Sequence, residues 1–477
     1  MKITLFALNA SHAHTSLSVR CLLAALRDAG YTNVEILEPT LRDRTESVLA
    51  ELVKSHADLY GFSCYIWNIR ETLALARDLK ALCPNAKILL GGPEVSFDTH
   101  RFTDLPFIDC IVTGEGEVAI VTLADLLAAG DPLPRLLTGT PDPAFLARGA
   151  HYTKDRASTL VYYESARGCP YHCAFCLSAA QTGVRAKSAA QTLADLLSFE
   201  EIPGPITVKL VDRTFNFDVA RAKKIWQGLL DARYTKCYHF EISAGLLDEE
   251  CFAILKQFPA RKIRLEIGVQ STKEQTLAAI CRHQSATSTL RAAKRLKAAG
   301  NLHLHLDLIA GLPFEDYASF ARSFDDTYFC ADVLQLGFLK LLHGTPLYEN
   351  AKEYGMIASG TPPYTVLQTK WLSFEELHRL HGIADLLDRL QEKGRFAHGL
   401  HYILTRVPSP FGFFENFLDY LCLHDGRALQ KIAQRELFSH FYAFGKTLLP
   451  TDRHAEFATY LEADFRSAEV RRPPKFQ

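Results

Sequence analysis

Short apolar runs alternate with amphipathic stretches along most of this chain. KITLFALN, NVEILEP, DLYGFSCY, AKILLGGPE and FIDCIVTGEGE have the length and content of strands. LSVRCLLAALRDAG, TESVLAELVKSH, NIRETLALARDLKAL and VAIVTLADLLAAG intervene at helical spacing, the first closed by Gly30. Strand and helix in strict alternation predict a doubly wound parallel sheet over residues 1–130, with ligands at the carboxyl ends of its strands. Pro132, Pro134, Pro141 and Pro143 then break the pattern, so 131–155 reads as a linker. Alternation resumes with STLVYYES, ITVKLVD, YHFEIS, IRLEIGVQ, LHLHLDLIAG and VLQLGFLKLL. Six strand–helix units over 156–345 predict a partial parallel barrel of TIM type, (β/α)6, with its functional rim at the strand ends. Residues 346–477 change character, become aromatic-rich and predict a separate helical C-terminal domain.

The composition narrows the class. With 48% hydrophobic and 22% charged residues, the 477-residue chain buries a large core. Lys plus Arg is 53 and Asp plus Glu is 54, a net charge of −1 that argues against a generic attraction to nucleic acid or anionic membrane. The start, MKITLFALNA, reads as a first strand, and no apolar run is long enough to span a bilayer. Most of the twelve cysteines are scattered singly through apolar segments, the pattern of reduced thiols in a cytoplasmic protein.

The exception is ARGCPYHCAFCLSAA, where Cys169, Cys173 and Cys176 are spaced C-x3-C-x2-C. Three close thiolates suit a 4Fe-4S cluster with one iron left for another ligand. Three buried cysteines or a zinc loop are the alternatives, but a zinc loop ordinarily pairs C-x2-C knuckles, and His172, its available fourth ligand, lies between two of the cysteines. The loop resembles that of the radical S-adenosylmethionine (SAM) enzymes. The resemblance implies that SAM chelates the open iron and that Phe175 lies near its adenine. Later segments extend the likeness. KLVDRTFN brings Asp212, Thr214 and Asn216, although the family's Gly-Gly-Glu is absent. FEISAG brings Glu241, LEIGVQS brings Glu266, Gln270 and Ser271, and ICRHQ brings Arg282, which resembles the arginine that pairs with the methionine carboxylate. LDLIAGLPFED brings Ile309 and Gly311, whose backbone would support adenine. His303 and His305 alternate with leucines and read as packed strand positions.

The first 130 residues, in turn, resemble the cobalamin-binding domain that precedes many radical SAM barrels, a Rossmann-like (flavodoxin-like) fold. Gly91 and Gly92 of GGPE, and Gly114 and Gly116 of GEGE with Glu115 and Glu117, mark strand ends where backbone can approach a large flat ligand. Ser63 and Cys64 would meet the nucleotide tail, and Asn9, Ser11 and His14 lie in NASHAHTS after the first strand. The Asp-x-His-x-x-Gly signature of a cobalt-ligating histidine is missing there. Cobalt would be unligated by the protein or held by His12 or His14, and Asp98-Thr99-His100 lies too late and lacks the glycine. An ordinary flavodoxin-like domain with tight turns, or one binding another nucleotide, is the alternative.

Together these features resemble the cobalamin-dependent (class B) radical SAM enzymes. The resemblance implies reductive SAM cleavage at the cluster and methylation of an unactivated carbon of a small-molecule substrate. It also implies an electron donor such as flavodoxin or ferredoxin, and neither nucleic-acid nor membrane partners. Two alternatives stand beside it: a cobalamin-dependent cyclase, rearrangement or oxidation enzyme, and a non-catalytic cobalamin or SAM sensor. Tyr364, Trp371, His398, His401 and Tyr402 are pocket candidates in the C-terminal region, where such residues more often belong to the core.

Overall fold

The structure, a computed structural model, describes residues 1–149, 159–180, 183–391 and 394–467. The N-terminal sheet contains β1 (Ile3–Ala7), β2 (Val34–Leu37), β3 (Leu59–Ser63), β4 (Lys87–Gly91), β5 (Cys110–Gly114) and β6 (Leu136–Gly139). All pair in parallel, in the order β2-β1-β3-β4-β5-β6. Helices cover both faces, so every position of β1 is buried, Thr4 included. Ile3, Leu5 and Ala7 enter one core, while Phe6 enters the other.

The proline-dense stretch read as a linker instead supplies β6. Its prolines bracket this edge strand rather than interrupt it, so no ladder hydrogen bond is lost. Beyond it Phe145 is buried, and Arg148 pairs with Asp28 at 3.0 Å and Asp142 at 2.5 Å. The remainder of the predicted linker, 150–155, lies outside the described residues.

The second sheet contains β7 (Leu160–Tyr163), β10 (Thr207–Leu210), β11 (Cys237–Glu241), β12 (Ile263–Gln270), β13 (His303–Ala310) and β14 (Val333–Phe338). The order is β14-β13-β12-β11-β10-β7, again parallel throughout, which gives the six-stranded partial barrel. Between β7 and β10 a short antiparallel ribbon, β8 (Ala166–Gly168) with β9 (Val184–Ala186), frames the cysteine loop. Burial alternates along the barrel strands. Leu304, Leu306, Leu308 and Ala310 of β13 are buried against the helices, while His303, His305, Asp307 and Ile309 are half-buried on the concave side. The two histidines therefore face the lumen rather than a packed apolar layer.

After β14, a two-stranded ribbon, β15 (Ile357–Ala358) with β16 (Val366–Gln368), precedes the helices Phe374–Gln391, Ala397–Leu404, Pro410–His424, Gln434–Leu448 and His454–Ser467. These helices are not a separate body. One continuous apolar core runs from Val161 of the barrel to Phe465 of the last helix. Helix Phe374–Gln391 lies along the barrel's edge strand, where Leu334 N donates to Gln391 Oε1 at 3.2 Å and Phe338 stacks on His381 at 3.4 Å. Among the described residues no helix is long and apolar enough to cross a membrane.

Gly139 sets a sharp test of the β5–β6 junction. A Cβ there would stand 1.7 Å from the Glu115 carbonyl oxygen, so backbone must move. Gly139→Ala is expected to cost ~2 kcal/mol or more, read as a lowered urea midpoint.

Candidate cofactor site and barrel lumen

The cysteine loop is held before any cofactor is considered. Gly168 closes β8 at φ 93°, and a Cβ there would stand 2.2 Å from the Gly183 carbonyl on the facing strand, so only glycine fits. Asp212 fixes the loop's entry. Its carboxylate accepts from Ser165 N at 2.7 Å, Ala166 N at 3.1 Å and the Ser165 hydroxyl. Burial pushes the Asp212 carboxyl up, against these donors. Further along, Ala174 N donates to Ile280 O at 3.0 Å, and Leu347 N donates to Ala174 O at 2.9 Å. Barrel and C-terminal region thus grip the loop together.

Within it Cys169 and Cys173 are buried and Cys176 is half-buried. Burial pushes the Cys173 thiol up, Arg282 opposes this, and the neighbouring Cys176 and Cys169 reinforce it, so the three cysteines lie within electrostatic reach of one another. Arg282 Nη1 lies 3.9 Å from Cys173 Sγ, while its Nη2 donates to the Gly268 carbonyl. The Thr214 hydroxyl lies 3.8 Å from Cys169 Sγ. His172 is exposed to solvent. Among the described residues no three His, Cys, Asp or Glu side chains are gathered tightly enough for one ion. Three cysteines spaced C-x3-C-x2-C on one loop, two buried and one half-buried, are the kind of donor set that holds a cluster.

The strand ends around the loop carry the other barrel residues. Gln270 ends β12 in the left-handed region at φ 71°, at a register shift against β13. Its Oε1 is buried without a hydrogen-bond partner, an acceptor left open beside the cysteine loop's arginine. Ser271 donates to Glu315 at 2.5 Å, and burial raises that carboxyl to about 7. Asn216 is engaged on both sides by the Ser243 backbone, at 2.9 and 2.8 Å. Phe175 and Ile309 are half-buried against the core, and Gly311 turns at φ 92°.

The N-terminal domain meets this loop through charge. Arg167, two residues before Cys169, contacts Glu115 at 2.8 Å, Glu117 at 2.5 Å and Glu164 at 2.9 Å, and Arg185 also reaches Glu115. The Arg167 guanidinium lies 4.4 Å above the Phe145 ring. The acidic residues of GEGE, expected at a cofactor, are therefore engaged by the arginines flanking the cysteine loop. The glycines have backbone reasons of their own. A Cβ on Gly92, at φ 120°, would stand 2.5 Å from the Cys64 carbonyl, and one on Gly114 would stand 3.0 Å from the Gly139 carbonyl. Cys64 N donates to the Gly91 carbonyl at 2.7 Å, a side chain on Gly116 would meet Leu22, and Ser63 and Ser18 share a hydroxyl contact of 3.0 Å. Asn9 donates to the His14 carbonyl and to Glu38, both at 3.2 Å, and the Ser11 carbonyl accepts from His14 N at 3.1 Å. His14 Nδ1 meets the Tyr162 hydroxyl of β7 at 2.7 Å, so its ring joins the two domains. His12 is exposed, at a cavity of about 760 Å³ beside the end of β2.

Three family models divide the chain. Residues 3–124 match the B12 binding domain, residues 163–327 match the radical SAM superfamily, and residues 352–476 match a domain of unknown function, DUF4080. The chain therefore carries a B12-binding domain followed by a radical SAM domain. It is 28% identical over 306 residues to the cobalamin-dependent radical SAM methyltransferase TokK of Streptomyces tokunonensis, covering 56% of this chain. The chain spans only 44% of that relative's length. The radical SAM methyltransferase TsrM from Kitasatospora setae, solved with cobalamin and a [4Fe-4S] cluster, shares the fold at a TM-score of 0.64 and 17% identity, over 87% of this chain and 98% of that one. The cobalamin-dependent SAM radical enzyme OxsB, solved with aqua-cobalamin, does so at 0.64 and 14%, over 99% and 82%.

Inside the radical SAM domain the barrel lumen is polar. Lys209 reaches past β11 to Glu266 on β12 at 2.9 Å, a span possible only on a concave face, and also faces Glu241 at 3.8 Å. His239 Nε2 approaches Glu266 to 3.0 Å. Burial alone would lift Glu266, but His239 and Lys209 outweigh it and hold that carboxyl at about 2. For Glu241 burial dominates, Glu266 adds repulsion, and the carboxyl rises to about 7. Lys209 was missed in the sequence because it reads there as one polar position in an apolar strand. Tyr65 and Trp67, also missed, form a stacked pair 4.3 Å apart after β3, with Trp67 49% exposed.

The C-terminal pocket candidates separate. Tyr364 is buried against the N-terminal domain, its hydroxyl bonded to Glu94 and accepting from Arg101 Nη1 at 3.0 Å. Trp371 packs on Phe314 at 4.5 Å. His398 meets Asp464 at 2.7 Å, Tyr402 donates to Glu456 at 2.7 Å and His401 is exposed, all within the C-terminal helices.

Glu241 gives a signed pH effect. Below pH 4.5 its carboxyl is protonated in the folded and unfolded chain alike. As pH rises through about 7, the folded state bears the cost of ionising it, so stability falls. Glu241→Gln is therefore expected to stabilise by about 3 kcal/mol at pH 8 and by little at pH 4.5, read as the change in thermal midpoint at the two pH values.

Proposed function

We propose that this chain is a cobalamin-dependent radical SAM enzyme that methylates an unactivated carbon of a small-molecule substrate. The observation that carries the reading is the convergence of Cys169, Cys173 and Cys176 on a loop gripped from both sides and joined through Arg167 to a B12-binding domain. In this reading the three thiolates hold a 4Fe-4S cluster, and Arg282, Gln270 and the turn at Gly311 face SAM. When loaded, the cluster and SAM would supply a radical that takes a hydrogen atom from the substrate carbon, and cobalamin would supply the methyl group. The chain's own residues orient and enclose. Asp212 and Gly168 fix the loop, and β8 keeps it against the N-terminal domain, with the His14–Tyr162 contact alongside. Cytoplasmic residence and a flavodoxin or ferredoxin donor complete the proposal, supported by twelve cysteines that all remain free thiols.

The test is anaerobic reconstitution followed by turnover. Wild-type protein is expected to take up about four irons and sulfides per chain. Cys169→Ala, Cys173→Ala and Cys176→Ala each reduce iron and SAM cleavage to background. SAM labelled with a deuterated methyl group is expected to mark the product. Release of 5′-deoxyadenosine with no labelled product would replace methylation by other radical chemistry, and a colourless reconstituted protein would remove the reading.

A further inference from the structure

We propose that the concave face of the barrel takes a substrate bearing a positively charged amine, seated between Glu241 and Asp307. This deepens the enzyme reading and rests on it, since it supposes that a substrate enters the barrel. TIM-type barrels ordinarily fill their interior with bulky apolar side chains. Here the concave positions of β10 to β13 carry Lys209, His239, Glu241, Glu266, His305 and Asp307. The adjoining register places Glu241 opposite Glu266, and Glu266 opposite His305.

The charges do not balance. Lys209 is the ammonium among these six residues, and its 2.9 Å contact commits it to Glu266. Glu241 faces the same ammonium only at 3.8 Å. Asp307 and His305 approach to 3.2 Å without the alignment of a hydrogen bond, leaving Asp307 Oδ1 and His305 Nε2 buried without a hydrogen-bond partner, while His239 Nε2 stands 3.0 Å from Glu266. Burial and the Glu266 charge both raise Glu241, the sign of a carboxylate short of cation. Two other cations do not make up the shortfall. Arg264 is exposed at the amino end of β12, and Arg213 is exposed beyond the end of β10. Buried polar groups demand partners, and two under-neutralised carboxylates demand positive charge. An ammonium donates up to three hydrogen bonds and meets both needs at once. SAM carries an ammonium and a sulfonium of its own, so the test must separate the two sources.

The cluster-reconstituted, cobalamin-loaded protein is titrated calorimetrically with 1,5-diaminopentane, agmatine, the uncharged isostere 1,5-pentanediol and the anion glutarate. The diamine or agmatine is expected to bind at least about tenfold more tightly than the diol, with glutarate silent. Glu241→Gln and Asp307→Asn are each expected to weaken the amine about tenfold or more, Glu241→Asp to retain part of it, and the exposed control Glu71→Gln to change nothing. Equal affinity for amine and diol, no amine binding, or unchanged affinity in both variants overturns the proposal. Displacement of the amine by SAM alone overturns it too, by assigning the carboxylates to SAM. SAM cleavage by the same preparation, measured without any probe, reports the enzyme reading separately.

Discussion

Arg167 is the hinge on which the arrangement turns. It stands two residues before the first cluster cysteine and is contacted by three carboxylates from two domains. Burial works against its charge, yet Glu164 and Glu117 together hold it firmly protonated. Such buried ion pairs are expensive to desolvate and add little net stability compared with an apolar pair of the same shape. What they confer is geometry, because a planar guanidinium accepts its partners in few directions. The arginine fixes where the cysteine loop lies relative to the strand ends of the N-terminal sheet. Removing it would leave Glu117 buried beside Glu164, two like charges with nothing between them.

Much of the architecture was legible from period alone. Strands buried on both faces announce themselves as apolar runs in the N-terminal sheet, and strands with one polar concave face as alternation in the barrel, and both sheets appeared where those patterns occur, β6 excepted. That strand hid behind Pro132 and Pro134, since prolines beside a strand read like prolines within a loop. The C-x3-C-x2-C spacing was equally plain, because three ligands for one cluster are a local feature. What stayed hidden was whatever depends on a distant partner. Nothing local shows that the carboxylates of GEGE meet arginines some fifty and seventy residues later, or that Gly92 answers the carbonyl of Cys64. The aromatic candidates of the C-terminal region were similarly unsorted, since Tyr364 and Tyr402 look alike until one docks on Glu94 and the other on Glu456.

The barrel interior follows from the same alternation read more finely. Odd positions of β13 carry His303, His305, Asp307 and Ile309, and even positions carry leucine or alanine. The even set meets helices and forms the core. The odd set stands half-buried on the concave side, where the neighbouring strands bring further acids, a histidine and a lysine to the same face. Burial of that kind leaves each group dependent on few neighbours, and one pair, Lys209 with Glu266, anchors the rest.

The C-terminal region touches both halves of the apparatus. Leu347 binds the backbone of the cysteine loop, and Tyr364 reaches Glu94 beside the glycines of the N-terminal domain. It therefore works as a buckle across the two modules. A chimera that trades one of them without the matching buckle inherits a loop with one grip missing, so a swap is expected to succeed only when the C-terminal region moves with it.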